Sequence, residues 1–141
     1  MARRLGTAGY YVMLPNLYYR AGVMELGPIN PDPESPERKK MFSLMNSLSI
    51  PLVMEDTKAL LAYAETQTAA NTRIIGTVGY CMSGRYAVNA ATHFGDRVKA
   101  AASVYGTHHG FAFPKRPVYD RDAAERHWER LLALYRRNLV S

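Results

Sequence analysis

From Asp120 to Leu139 apolar residues recur every three or four positions. Ala124, Trp128, Leu131, Leu132, Tyr135 and Leu139 form one stripe, while Arg126, Glu129, Arg130 and Arg137 face away. This spacing predicts an amphipathic helix that needs an apolar surface to cover. A second stripe, Val53, Leu60, Leu61 and Ala64, predicts a helix from Pro51 that ends by Ala69–Thr72. Before it, Ser35-Pro36-Glu37-Arg38 supplies an N-cap, a proline at the first helical position and an acidic residue, so a helix runs from there to about Leu48. The four prolines between Gly27 and Pro36 make that stretch a loop. Met1 to Ala8 reads as the end of a helix stopped by Gly9.

Three compact β-favouring runs complete the pattern. They are Tyr10–Leu14, closed by Pro15-Asn16; Arg73–Tyr80; and the alanine-rich Val98–Tyr105. The first reads as a strand buried on both faces. Ser83 to Phe94 reads as a helix stopped by Gly95. Helical crossovers between strands imply an α/β fold: a small parallel sheet, with Ile74–Tyr80 central, flanked by helices on both faces. Three strands make it thin, and its edges have little cover.

Composition narrows the class. The chain has 141 residues, 48% of them hydrophobic and 21% charged, which suits one globular domain over residues 1–141. The net charge is +6, but the densest basic stretch, Arg121 to Arg137, is interleaved with Asp122, Glu125 and Glu129 as on a solvated helix face. No nucleic-acid module signature appears, so nucleic acid is not an expected partner. Membrane is not one either, since no apolar run approaches the roughly 18 residues of a span. One cysteine permits no internal disulfide, and no secretory leader pattern opens the chain. Both fit a cytoplasmic protein.

The chemistry concentrates at Gly79-Tyr80-Cys81-Met82-Ser83-Gly84, where a buried strand ends and a helix begins. A nucleophile elbow has this context: a sharp turn pushes the nucleophile out, and small neighbours make room for it. The helix N-terminus behind Cys81 favours thiolate, and the N–H of Met82 is placed to donate to an oxyanion. The G-x-S-x-G pattern is met only approximately, because Cys replaces Ser and Ser83 stands where the second Gly belongs. The plainer reading is an inert cysteine packed at a strand end. A general base should follow late, on a loop after a strand. His109, in His108-His109-Gly110-Phe111, fits that position; a solvated loop histidine is the alternative and His108 the rival. His93 and His127 fall inside helices and read as structural or exposed.

Four blocks together resemble the dienelactone hydrolase family, an α/β-hydrolase branch. They are Gly9-Tyr10 through Pro15-Asn16-Leu17-Tyr18-Tyr19-Arg20, the cysteine elbow, His109-Gly110-Phe111, and Tyr119-Asp120 through Trp128 to Leu134. The resemblance implies a truncated, three-layer α/β-hydrolase-like fold. It also implies hydrolysis of a small-molecule ester or lactone, with Cys81 as nucleophile, His109 as base, and no metal or organic cofactor. Tyr18, Tyr19, Arg20 and Arg85 would lie near the substrate. Arg85 could hold a carboxylate or simply reach solvent.

The chain departs from that pattern twice. Relatives carry further strands and an oxyanion-hole loop before the point matching Met1. Only 28 residues separate Cys81 from His109, where relatives place another strand and the triad acid. Asp96 is the sole carboxylate in between, at the far end of a helix roughly 18 Å long. Asp120 and Asp122 suit the start of the last helix. Without an acid to orient the base, turnover falls by about 10⁴, so the sequence predicts an impaired hydrolase or, alternatively, an inactive truncated relative. Uncovered sheet edges predict self-association.

Overall fold

The computed structural model describes residues 1–23, 25–106 and 108–139. Its framework is the unit β1 (Ile75–Tyr80), α4 (Gly84–Phe94) and β2 (Val98–Val104), preceded by α1 (Ala2–Thr7), α2 (Pro36–Asn46) and α3 (Ile50–Glu65) and followed by α5 (Arg121–Leu139). The two strands pair in parallel, with Thr77 opposite Ala101 and Tyr80 opposite Val104. A parallel pair needs a crossover, and α4 supplies it.

Side chains alternate across this sheet, which fixes its two faces. Val78, Ala100 and Ala102 pack with Trp128, Leu131 and Tyr135 of α5 and Leu5 of α1. On the opposite face, the Thr77 hydroxyl donates to the Ala87 carbonyl of α4 at 2.8 Å. A second cluster lies beyond α4, where Tyr86 and Ala90 meet Leu48, Val53 and Met54. The result is the expected three-layer α/β arrangement with a small parallel sheet, a truncated α/β-hydrolase-like fold.

Local signals act where the sequence put them. Ser35 caps α2, accepting from the Arg38 N–H, and Ser49 caps α3 in the same way. Asp120 caps α5, its carboxylate accepting from Ala123 N–H at 2.9 Å. Gly95 ends α4 at a φ of 51°.

One strand expectation fails. Tyr10–Leu14 joins no ladder, so the sheet has two strands among the described residues and Ile75–Tyr80 is not central. Nor is the run buried on both faces: Leu14 is 81% exposed. Tyr10 and Val12 instead add to the core beneath α5, Tyr10 meeting Tyr135 edge-to-face with ring centroids 5.6 Å apart. An apolar run satisfied by helix packing has no need of a strand partner. The remaining boundaries are shorter than the pattern suggests, with α3 ending at Glu65 and β1 starting at Ile75.

Candidate active site

β1 delivers Cys81 to the C-terminal end of the sheet, followed by one 3-10 turn, Cys81–Ser83, and then α4. Cys81 has φ 54° and is the sole non-glycine residue with positive φ among the described residues. This left-handed conformation costs a residue with a Cβ about 1–2 kcal/mol, so the surroundings must hold it. Three restraints do so.

The first is Ser83. Its hydroxyl accepts from the Tyr80 N–H and donates to the Tyr80 carbonyl, both at 2.8 Å, closing the turn around Cys81. The second is close backbone approach. A Cβ on Gly79 would lie 2.1 Å from the Ser83 carbonyl oxygen, and one on Gly84 2.1 Å from the Ser103 hydroxyl. Both positions therefore admit only glycine without rearrangement. The third is Tyr80, whose hydroxyl lies 2.8 Å from Nε2 of His127 on α5. Burial pushes the Tyr80 phenol far up and the His127 imidazole down, the latter with help from the Arg4 charge.

The Cys81 thiol is half-buried. Met82 packs into the cluster around Tyr86, and Tyr18 joins the same cluster, so Tyr18 and the elbow share a neighbourhood. The Tyr18 phenol is raised, chiefly by burial. Arg85 is exposed; it lies over the Tyr86 ring, 4.8 Å from its centroid, and donates to the Tyr86 hydroxyl at 2.7 Å. Tyr19 and Arg20 turn elsewhere. The Tyr19 hydroxyl donates to Asp56 of α3 at 2.9 Å, and Arg20 grips the same carboxylate with two nitrogens. That guanidinium is the main reason the Asp56 carboxyl sits below its usual range.

His109 lies exposed in the turn closed by the Phe111 N–H to the His108 carbonyl, and His108 is equally exposed. Neither histidine bonds to Cys81. Asp96 is exposed and faces Lys99, 3.8 Å away. No group of His, Cys, Asp and Glu among the described residues could hold a metal ion.

Comparison with known proteins decides the lineage. Residues 1–108 match the dienelactone hydrolase family. The chain belongs to that family. A curated relative from Methylorubrum extorquens, provisionally named a carboxymethylenebutenolidase, is 31% identical over 122 residues. That stretch is 84% of this chain but 39% of the relative, so this family member spans about two fifths of its relative's length. No solved structure matches it. The match to the dienelactone hydrolase family ends at His108, so His109 and all of α5 lie beyond the matched part of this member. No helix among the described residues is long and apolar enough to cross a membrane.

Sequence reasoning missed the closing role of Ser83 and the Tyr80–His127 pair. The first had a readable signal, a serine three residues after the strand's last position. The second had a fainter one, a histidine beside Trp128 on the flank of the apolar stripe.

Proposed function

We propose that the chain carries the nucleophile half of a dienelactone-hydrolase-type site for small esters or lactones. The observation that carries this is Cys81, held in the left-handed region at a strand-to-helix turn. Backbone strain of this kind persists where a function needs the side chain presented. In the proposed reaction the Cys81 thiolate attacks the substrate carbonyl carbon. A C–S bond forms, the ester C–O bond breaks, and the leaving alcohol takes a proton from the base. Water then cleaves the thioester, releasing the acid and restoring the thiol. The Met82 N–H serves as oxyanion donor, since the first N–H groups of a helix have no partner within it. His109 serves as base, and Tyr18 and Arg85 border the substrate; Tyr19 and Arg20 join them only by leaving Asp56.

Turnover by this chain is impaired in this reading, because no carboxylate among the described residues bonds to His109 to orient it. Residues 1–141 act as one incomplete domain, cytoplasmic, needing no cofactor, and able to self-associate through an uncovered sheet edge. A second reading, an inactive truncated relative, is favoured by one observation: His109 is exposed and makes no bond to Cys81.

Incubation with 4-nitrophenyl acetate separates the two. The hydrolase reading expects a burst near one equivalent of nitrophenolate, slow turnover afterwards, and an acetyl group found on Cys81 by mass spectrometry. The burst should vanish in Cys81→Ala. If Cys81 stays unmodified while the wild-type chain is folded by circular dichroism, the inactive reading holds.

A further inference from the structure

β2 pairs with β1 on one side alone. Its other edge, Lys99 to Val104, makes no backbone hydrogen bond among the described residues. Such an edge presents unpaired N–H and C=O groups that can template another strand. Here it borders a groove of about 420 Å³ under α5, with Val104, Phe111, Leu131 and Leu134 among its walls. The rim is basic. Arg126 and Arg130, four residues apart on α5, both line the groove, and no carboxylate does. Neither arginine has a hydrogen bond or ion pair among the described residues, whereas Arg4, Arg20 and Arg97 are matched by Glu125, Asp56 and Glu65. Both arginines are exposed, as the sequence placed them, and both also line this groove beside the β2 edge.

We infer that this groove is a docking site for an extended segment of a partner polypeptide that adds as a strand to β2, with acidic residues alternating with apolar ones. Strand addition draws affinity from main-chain bonds and specificity from alternate side chains. Apolar positions would meet Val104, Leu131 and Leu134, and the carboxylates would meet the two guanidiniums. A second copy of this chain fits the edge poorly. It would bring its own Arg126 and Arg130 to the same place, between molecules that each carry a net charge of +6. Copies are left the outer edge of β1.

Fluorescence anisotropy with the 141-residue protein tests this, using a fluorescein-labelled peptide of alternating valine and glutamate. Saturable binding is expected, and raising the salt should weaken it. A valine–lysine peptide should not bind, and neither should a valine–glutamate peptide N-methylated at alternate amides. The double variant Arg126→Gln/Arg130→Gln should lose about tenfold in affinity, the loss of two exposed ion pairs. Both arginines are exposed, so its circular dichroism should match the wild type. Three results would overturn the proposal: no saturable binding of the acidic peptide, equal binding of the lysine or N-methylated peptide by the wild-type protein, or a dimer whose formation blocks the acidic peptide.

Discussion

The Tyr80 hydroxyl and Nε2 of His127 lie 2.8 Å apart, joining the residue before the elbow cysteine to the last helix of the chain. His127 is flanked by the rings of Tyr80, Phe111 and Trp128. Removing the hydroxyl in Tyr80→Phe leaves a partly buried ring nitrogen unpaired and should cost about 1 kcal/mol. Urea denaturation of the two proteins measures it.

The same histidine gives the fold a pH dependence. Burial first, and the Arg4 charge second, lower its value in the folded chain below the ordinary 6.5. The unfolded chain therefore takes up a proton first as the solution is acidified. Stability is fully present above about pH 6.5 and falls as pH drops from there through the folded value, then levels off for this group. Thermal melting from pH 8 to about pH 5 should show this loss, with a smaller one in His127→Gln.

Relief of the Cys81 backbone is a separable effect. In Cys81→Gly the left-handed φ carries no Cβ penalty, and stability should rise by about 1 kcal/mol while the proposed acylation at this position disappears. Cys81→Ala keeps the penalty and should gain nothing. Chemical denaturation of the three proteins distinguishes strain from loss of packing.

Gly79 and Gly84 should differ in tolerance although each faces an atom at 2.1 Å. The obstacle at Gly79 is the Ser83 backbone, which cannot move without opening the turn. At Gly84 it is the Ser103 hydroxyl, a side chain that can rotate. Gly79→Ala should cost about 3 kcal/mol or more and Gly84→Ala less. Ser103→Ala should partly rescue Gly84→Ala and leave Gly79→Ala unimproved, as a double-mutant cycle would reveal.

Asp56 ties the Tyr19–Arg20 turn to α3. Asp56→Ala should release that turn, seen as faster tryptic cleavage after Arg20. Since Arg20 holds the Asp56 carboxyl below its ordinary value of 3.8, the tie is present above that pH and lost only as pH falls through the lower folded value.

How far the sequence could be read depended on whether a signal was local. Ser35 before Pro36, Gly95 after Phe94, and the Trp128–Leu131–Tyr135 stripe each need only their own neighbours, and each is where it was expected. The elbow was legible for the same reason, since a glycine-flanked turn between strand and helix is local. Tyr10–Leu14 was not, because an apolar run does not state whether a strand or a helix will cover it. His127 was read as structural or exposed, but its partner could not be named because it lies 47 residues away, and the groove beside β2 exists only once α5 has folded back over the sheet.

That late return of α5 has a consequence for synthesis. The β1–α4–β2 unit is covalently complete at Val104, and its register joins residues little more than twenty apart. The side chains it turns toward α5, among them Val78, Ala100 and Ala102, share their core with Leu5, Tyr10 and Val12 but lack Trp128, Leu131 and Tyr135 until α5 has been made. At roughly 5–20 residues per second, the ribosome needs about 2–7 s to add the stretch from Val104 to Leu139. A nascent chain paused in that interval presents a half-covered apolar sheet face to the cell, a natural moment for a chaperone to hold it or for neighbouring chains on the same message to stick.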